Sequence, residues 1–375
     1  MINSREEQIM LEEAARLQLQ LQGETDNHQI RLAVQNGMER GKSGSKRNSL
    51  MKGAFYGVAV AAVVAFVLFI IPVWHADQQI PVNTEPQDWG VLEPFREFIS
   101  YKNNAETFES AVRNDYVQLL DNGVEVDGYL ITLNAVTADE NRIILLYTAE
   151  TSNDQEIYGF SSSRMLDVQT GNRLNRTGGI GAHAKLNGEE DYHKYYGKSE
   201  FELDRSRPFP EQLEADFLIA SVDPGKMDDP KTGTIMADIH YSPRIKFVID
   251  LDQKFKETKT EVIYPNKEFQ IEGHEVVLSR VEMSPLMIKV RYELKNEDDY
   301  KWEVRQRVFD YFFGTIASRS GSRTVELPMN TGAGLSNGYE QVFASNRLDH
   351  PDSLLLEIKS GLGIDMFVKQ FELLK

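Results

Sequence analysis

The chain has 375 residues, a formal net charge of −17 and no cysteine, which excludes disulfide bonds and thiolate metal sites. Residues 1–52 hold eight Lys and Arg against seven Asp and Glu, a charge of +1, so the remaining residues carry −18. A region this acidic lacks the basic surface that binding to nucleic-acid phosphates requires.

The first 52 residues predict a short α-helical head that ends in a basic, flexible tether at Gly41–Ser49. Ser4 and Glu7 have the spacing of a capping box at the start of a helix over 4–22, and a second helix is expected over 27–39. Apolar residues recur at helical spacing along both and form a stripe of Met10, Ala14, Leu17, Leu21, Ile30, Val34 and Met38. Two helices this short bury little apolar surface alone, so the stripe predicts a protein partner.

The segment Gly53–Trp74 has twenty-two residues and no charged side chain. As a helix it would be about 33 Å long, enough to cross a hydrocarbon core of about 30 Å. Basic residues precede it and Asp77 follows it, which predicts a cytoplasmic N-terminus and an extracellular C-terminal region. A cleaved signal peptide is the alternative, but its charged region would span fifty-two residues. We therefore expect a retained single-pass anchor in the cell membrane.

Residues 75–114 predict a proline-containing stalk followed by short helices. Asp77–Pro94 holds three prolines among polar residues, which favours an extended chain, and 95–112 has room for one or two helices. From Tyr116 onward, short apolar runs alternate with turn residues, as is typical of β-strands. The dipeptide Asn122-Gly123 between two such runs predicts a hairpin turn.

An internal repeat indicates how the β region is organised. GYLITLNAVTADENRIILLYTAE from Gly128 aligns without gaps with GHEVVLSRVEMSPLMIKVRYELK from Gly273, at an offset of 145 residues. The alignment predicts two copies of one module, 115–256 and 257–375. Strands over 216–220, 247–251, 354–358 and 366–373 would close the two copies. We predict a mainly β ectodomain of two tandem β-sandwich modules with immunoglobulin-like topology.

No residue pattern predicts catalysis, a cofactor site or a metal site, so we expect a protein that is not an enzyme. His274-Glu275 opens a zinc-protease motif but the second histidine is missing. His183 and His193 are expected at the surface. The loop 223–229 holds three aspartates without the alternating ligand pattern of a calcium loop.

Three stretches carry a resemblance to a known family: Ile30–Lys42 (IRLAVQNGMERGK), Asp121–Val136 (DNGVEVDGYLITLNAV) and Val277–Tyr292 (VLSRVEMSPLMIKVRY). They resemble single-pass membrane proteins of Gram-positive bacteria that are regarded as anti-sigma-factor-like. In that family a cytoplasmic head precedes one membrane helix and an external domain of unknown function. The chain departs from the zinc-binding class of anti-sigma factors, whose HxxxCxxC motif requires cysteine.

The resemblance implies a role in signal transduction across the cell envelope. Residues 1–52 would sequester an extracytoplasmic-function sigma factor through the apolar stripe, and an external signal would release it and so regulate transcription. The alternative is a cell-surface binding or structural protein whose tandem β modules contact wall polymers or another protein. Either function implies an extracellular ligand or protein partner, whose identity the sequence does not specify.

Overall fold

A computed structural model of the protein describes residues 88–100, 105–228, 238–361 and 367–374. All of them belong to one compact unit, Ile80–Lys375. Within these ranges, no helix combines the length and the apolar character needed to cross a membrane. The predicted N-terminal helices, their apolar stripe and the membrane segment 53–74 lie outside the described residues and stay predictions.

The described region is mainly β, as predicted, and its first half forms two antiparallel sheets. The strands are β1 (Gln118–Val126), β2 (Tyr129–Ala138), β3 (Arg142–Thr151), β4 (Glu156–Asp167), β5 (Asn175–Leu186), β6 (Glu189–Glu202), β7 (Gln212–Val222), β8 (His240–Tyr241) and β9 (Ile245–Asp250). One sheet has the order β1-β2-β3-β6-β5, and in the other β7 pairs with β4, β8 and β9.

The second half is one continuous antiparallel sheet that follows the order β10-β12-β13-β16-β15-β14-β17-β18, with β11 also on β12. Its strands are β10 (Glu261–Ile263), β11 (Lys267–Ile271), β12 (His274–Met283), β13 (Ile288–Leu294), β14 (Phe312–Ser320), β15 (Arg323–Leu335), β16 (Gly338–Phe343), β17 (Ser353–Ser360) and β18 (Phe367–Leu374). The long strand β15 connects two parts of this sheet, because its first residues pair with β14 and its last residues with β16.

The two halves repeat one pattern of strand pairing. The order β2-β3-β6-β5 in the first half corresponds to β12-β13-β16-β15, and β4-β7-β9 corresponds to β14-β17-β18. Strand β12 begins and ends 145 residues after β2, which is the offset of the sequence repeat. The four strands predicted to close the copies correspond to β7, β9, β17 and β18.

The turns that precede β2 and β12 also correspond. Asp127 and Gly128 have φ of 51° and 77°, and Glu272 and Gly273 have 49° and 83°, so both two-residue loops have the left-handed backbone of a type I′ hairpin. The predicted turn at Asn122-Gly123 is wrong, because those residues lie within β1 and pair with β2, just after a β-bulge between Leu119 and Asn122. The register shift there follows Leu119, and the turn forms five residues later, where Asp-Gly supplies the same conformational freedom.

Each half has its own apolar core. In the first, the ring of Tyr147 on β3 lies 4.7 Å from that of Phe217 on β7, so the two sheets pack face to face. In the second, the ring of Tyr292 on β13 lies 4.7 Å from that of Phe312 on β14. Large side chains buried in this way each contribute about 2 kcal/mol to stability.

Two helices lie at the outer face of the first sheet, the first packed on β5 and β6 and the second packed against the first. Helices α1 (Glu93–Ser100) and α2 (Ala105–Arg113) match the predicted short helices, and Phe95 packs edge-on against Tyr196 of β6 at 5.2 Å. Trp89 is buried as well, so the last residues of the predicted stalk belong to the folded unit. The remaining helices are α3 (Lys254–Glu257), at the predicted module boundary, and α4 (Trp302–Phe309), between β13 and β14.

Candidate functional site: a polar cleft between the two halves

The β2–β3 turn of the first half meets its counterpart, the β12–β13 turn of the second. Asp139 is fully buried in the first turn, and its carboxylate accepts hydrogen bonds from the backbone N–H of Asn141 (2.8 Å), Arg142 (3.0 Å) and Leu286 (3.0 Å). The last of these comes from the second turn. A buried carboxylate is tolerated only when it is hydrogen-bonded. The Asp139 carboxylate accepts bonds from two N–H groups of its own turn and from one of the other half, so it also links the halves.

Glu140 holds the connection between the halves beside this contact. Its carboxylate accepts hydrogen bonds from the backbone N–H of Thr260 at 2.9 Å and from Lys259 Nζ at 3.0 Å. Burial alone would raise the pKa of Glu140, but these bonds outweigh burial and hold its pKa below the ordinary value. The carboxylate is therefore ionised at neutral pH and fixes the segment that leads into β10.

Helix α2 contacts both halves. Arg113 donates to Asp349 Oδ2 at 2.6 Å and to Glu106 Oε1 at 3.1 Å, and Arg323 donates to the two Glu106 oxygens at 3.0 and 3.1 Å. The backbone N–H of Ser345 also donates to Thr107 Oγ1 at 2.8 Å. Burial raises the pKa of Glu106. Burial would also raise the pKa of Asp349, but the hydrogen bonds and charge of Arg113 outweigh it and lower that pKa.

A cleft of about 1400 Å³ lies beside this junction. The second half contributes the exposed face of its sheet, where Glu282, Lys289, Val342 and Thr331 form one cross-strand row. The next row is formed by Arg280, Arg291, Glu340 and Ala333. Ion pairs link neighbours on this wall, with Arg280 2.8 Å from Glu282 and Lys289 3.4 Å from Glu340.

The first half contributes the segment 203–211 and the start of β5 to the opposite wall of the cleft. Arg205 reaches across to Glu282 at 2.8 Å, and the half-buried Phe209 gives this wall an apolar surface. Deeper in the wall, Glu200 lies 2.8 Å from the buried Lys198 and 3.4 Å from Arg142. Burial alone would raise the pKa of Glu200, but these two cations hold it below its usual value.

The residues weighed in the sequence as ligands are dispersed. His183 Nε2 contacts the carbonyl oxygen of Ile157 at 2.7 Å, and His193 Nδ1 contacts that of Gln155 at 3.1 Å. His274 lies between Asp299 (3.1 Å) and Arg307 (2.8 Å), where it helps to attach α4. Within the described ranges, no group of three His, Asp or Glu side chains is arranged to hold a metal ion.

Sequence reasoning missed the cleft, although a signal for it exists in the repeat. At the offset of 145, Ile144 and Leu146 of β3 correspond to Lys289 and Arg291 of β13. An apolar run is typical of a strand covered on both faces, and alternation is typical of a strand with one face open. Comparing the two copies position by position would have marked the second sheet as the one with an open, charged face.

No family model matches the chain, and no curated protein matches it. Among solved structures, it is similar to the crystal structure of the conserved domain protein from Bacillus anthracis, with 13% sequence identity and a TM-score of 0.44. That similarity covers 69% of this chain and 91% of the other.

Proposed function

We propose that the protein is a membrane-anchored, anti-sigma-factor-like regulator whose β region senses a signal outside the cell. Residues 1–52 would hold an extracytoplasmic-function sigma factor in the cytoplasm, and 53–74 would cross the membrane. The charge asymmetry around the apolar segment supports this orientation.

The sensing region would consist of two tandem immunoglobulin-like modules. Strand order supports this assignment. If the strands β2 to β7 are named A to F in chain order and β9 is named G, the first half has one sheet with the order ABED and one with the order CFG. This is the strand order of a constant-type immunoglobulin domain. With β12 to β18 named A to G, the second half repeats these pairings. Strands β1, β10 and β11 are additions at the edge beside strand A.

The observation that carries the proposal is the position of α2. This helix packs with the first half and is ion-paired to Arg323 and Asp349 of the second, and only α1 separates it in sequence from the segment that would leave the membrane. A ligand that changes how the halves meet would change the contacts of α2 directly. Such differential contacts are what a ligand needs in order to shift an equilibrium between two states.

Sequestration would use the apolar stripe of the N-terminal segment. Burying such a helix face against a sigma factor could supply several kcal/mol, at roughly 25 cal/mol per Å² of apolar area, less the cost of ordering the segment. The stripe would mask the surface through which the sigma factor binds polymerase or promoter DNA. Release would follow a change in the external region.

The test is co-purification of the full chain with each extracytoplasmic-function sigma factor of its organism, together with a transcriptional reporter. Leu17→Asp places a charge in the stripe and is expected to abolish co-purification and to activate the reporter. Gln18→Asp adds the same residue outside the stripe and is expected to change neither. The proposal is wrong if no sigma factor co-purifies and deletion of residues 1–52 leaves transcription unchanged.

The polar cleft also favours the second candidate function, a cell-surface protein whose β modules bind a ligand without signalling. In that case the N-terminal segment would be a passive tail. Leu17→Asp would then leave transcription unchanged while ligand binding persists, so one variant separates the two functions.

A further inference from the structure

We infer that the cleft between the two halves binds a neutral, polyhydroxylated chain, that is, an oligosaccharide of several sugar units. The inference rests on the proposed function only in treating this ligand as the external signal. The binding itself follows from the charge, shape and surface chemistry of the cleft.

Acidic and basic side chains are balanced along the cleft. Eight acidic and eight basic residues line the cleft, although the whole chain has 58 acidic against 41 basic residues. Seven of the eight cations are held by carboxylates within 4.0 Å, as in the pairs Lys259–Glu140, Arg205–Glu282, Lys256–Glu211 and Lys289–Glu340. Arg173 is the exception among the described residues. The walls therefore offer a charged ligand little excess charge to replace its hydration.

Hydrogen-bonding capacity is the second argument. An arginine in an ion pair retains further N–H donors, and a carboxylate retains free lone pairs, so each pair presents both donors and acceptors. A sugar hydroxyl is itself a donor and an acceptor and matches such a surface at any point. Thr177, Asn175 and Thr331, which also line the cleft, add neutral groups of the same kind.

Apolar surface is the third argument. Phe209 lies between Pro208 and Pro210 on one wall, and Val342 and Ala333 lie on the other. Sugar rings combine polar edges with apolar faces of C–H groups, and this cleft offers a few apolar contacts among many polar ones. A lipid would need a continuous apolar lining, which these walls do not provide.

Size indicates a chain rather than a single unit. Pockets for one small molecule have volumes of about 300–1,000 Å³, and this cleft has about 1400 Å³. The polar side chains extend along two parallel rows of the second sheet, each four strands wide. The rows favour an extended ligand that lies across the strands.

The experiment measures binding of three hexasaccharides to the purified full chain by isothermal titration calorimetry. The N-acetylglucosamine hexamer is neutral, the glucosamine hexamer has the same backbone with protonated amines, and the galacturonate hexamer is anionic. The neutral hexamer is expected to bind at least about tenfold more tightly than either charged one. A neutral twelve-residue Ser-Gly peptide is expected not to bind.

Two variants locate the binding. Ala333 and Thr331 are exposed on β15 and line the cleft, so Ala333→Trp and Thr331→Trp are each expected to weaken binding of the neutral hexamer by about tenfold or more. Thr324→Trp adds the same bulk on β15 outside the cleft and is expected to bind as wild type does. Thermal unfolding of all three checks that they remain folded.

The inference is overturned if the neutral hexamer does not bind, if either charged hexamer or the peptide binds as tightly, or if both cleft variants are folded and bind normally. None of these measurements involves the sigma factor. Failure of the cytoplasmic interaction would therefore leave the glycan result unchanged, and the reverse also holds.

Discussion

Strands β3 and β13 occupy the same position in the two halves but differ in how many of their faces are covered. In β3, Ile144 and Leu146 are buried on the sheet face that also carries Tyr196, against which α1 packs, while Tyr147 faces the core between the sheets. In β13, the residues that correspond to Ile144 and Leu146 are Lys289 and Arg291, which are half-exposed. One fold thus has a helical layer on one copy and an open charged face on the other. The open copy contributes side chains from four strands of its sheet to the cleft, whereas the first copy contributes only strand ends, such as Arg142 and Glu200.

Exchanging polar and apolar side chains at equivalent positions of β3 and β13 tests the difference in covering. Leu146→Arg puts a charge under the helical cover, directly across from the buried Lys198, and is expected to lower the free energy of unfolding by at least about 3 kcal/mol. Arg291→Leu, the reverse change on the open face, is expected to cost less than about 1 kcal/mol. Chemical denaturation measures both, and equal costs would contradict the difference in covering.

The ion pairs of Arg113, which link the two halves, are tested by replacing this residue. Arg113→Ala leaves Asp349 and Glu106 without a shared cation, and because Arg113 is partly exposed the expected loss is about 2 kcal/mol rather than the 3–5 kcal/mol of a fully buried pair. Arg244→Ala removes an exposed partner of Asp216 within the first half and is expected to cost less than about 1 kcal/mol. If Arg113→Ala unfolds as wild type does, α2 does not join the halves energetically.

A smaller effect distinguishes two buried carboxylates by their pH dependence. Burial raises the pKa of Glu106 above 4.5, so its protonation on acidification stabilises the fold, and this gain is complete below pH 4.5. Glu200 has its pKa held below 4.5, so its stabilisation is lost as pH falls through that lower value.

The measurement is the free energy of unfolding of wild type relative to Glu106→Gln and to Glu200→Gln, from neutral pH to acid. Relative to Glu106→Gln, wild type should gain stability as pH falls. Relative to Glu200→Gln, it should lose stability, mainly below pH 4.5. If the difference in the free energy of unfolding changes with pH in the same direction for both variants, the surroundings of Glu106 and Glu200 do not shift their pKa values in opposite directions.

Much of the β architecture could be predicted from the residues. The alternation of β13 and the apolar run of β3 predict strands, and Gly128 and Gly273 mark corresponding turns because both require left-handed backbone. Asn122-Gly123 misled the turn prediction because Asn-Gly and Asp-Gly are both typical of a type I′ turn, and only Asp127-Gly128 has the left-handed backbone. Local chemistry did not distinguish between them, and the register of the partner strand did.

The cleft could not be predicted in the same way. Its walls come from residues far apart in the sequence, such as Arg205 and Glu282, which approach to 2.8 Å when the halves meet. Each of these residues by itself is an ordinary charged surface residue. The contact between Asp139 and Leu286 at the junction likewise depends on two turns meeting, which no local pattern encodes.

By itself, the sequence determined a β region built as a repeat, because hydrophobic periodicity and turn residues act over a few neighbouring positions. The helical N-terminal segment and the apolar membrane segment stay predictions. Tertiary structure alone decided that α1 packs on the sheet of the first copy, that α2 is ion-paired to the second copy, and that a cleft opens between the copies. The helix packs through apolar contacts such as Phe95 with Tyr196, and the halves meet through carboxylates such as Asp139 and Glu106. Both kinds of contact join segments that are distant in sequence, so they exist only once the chain has folded.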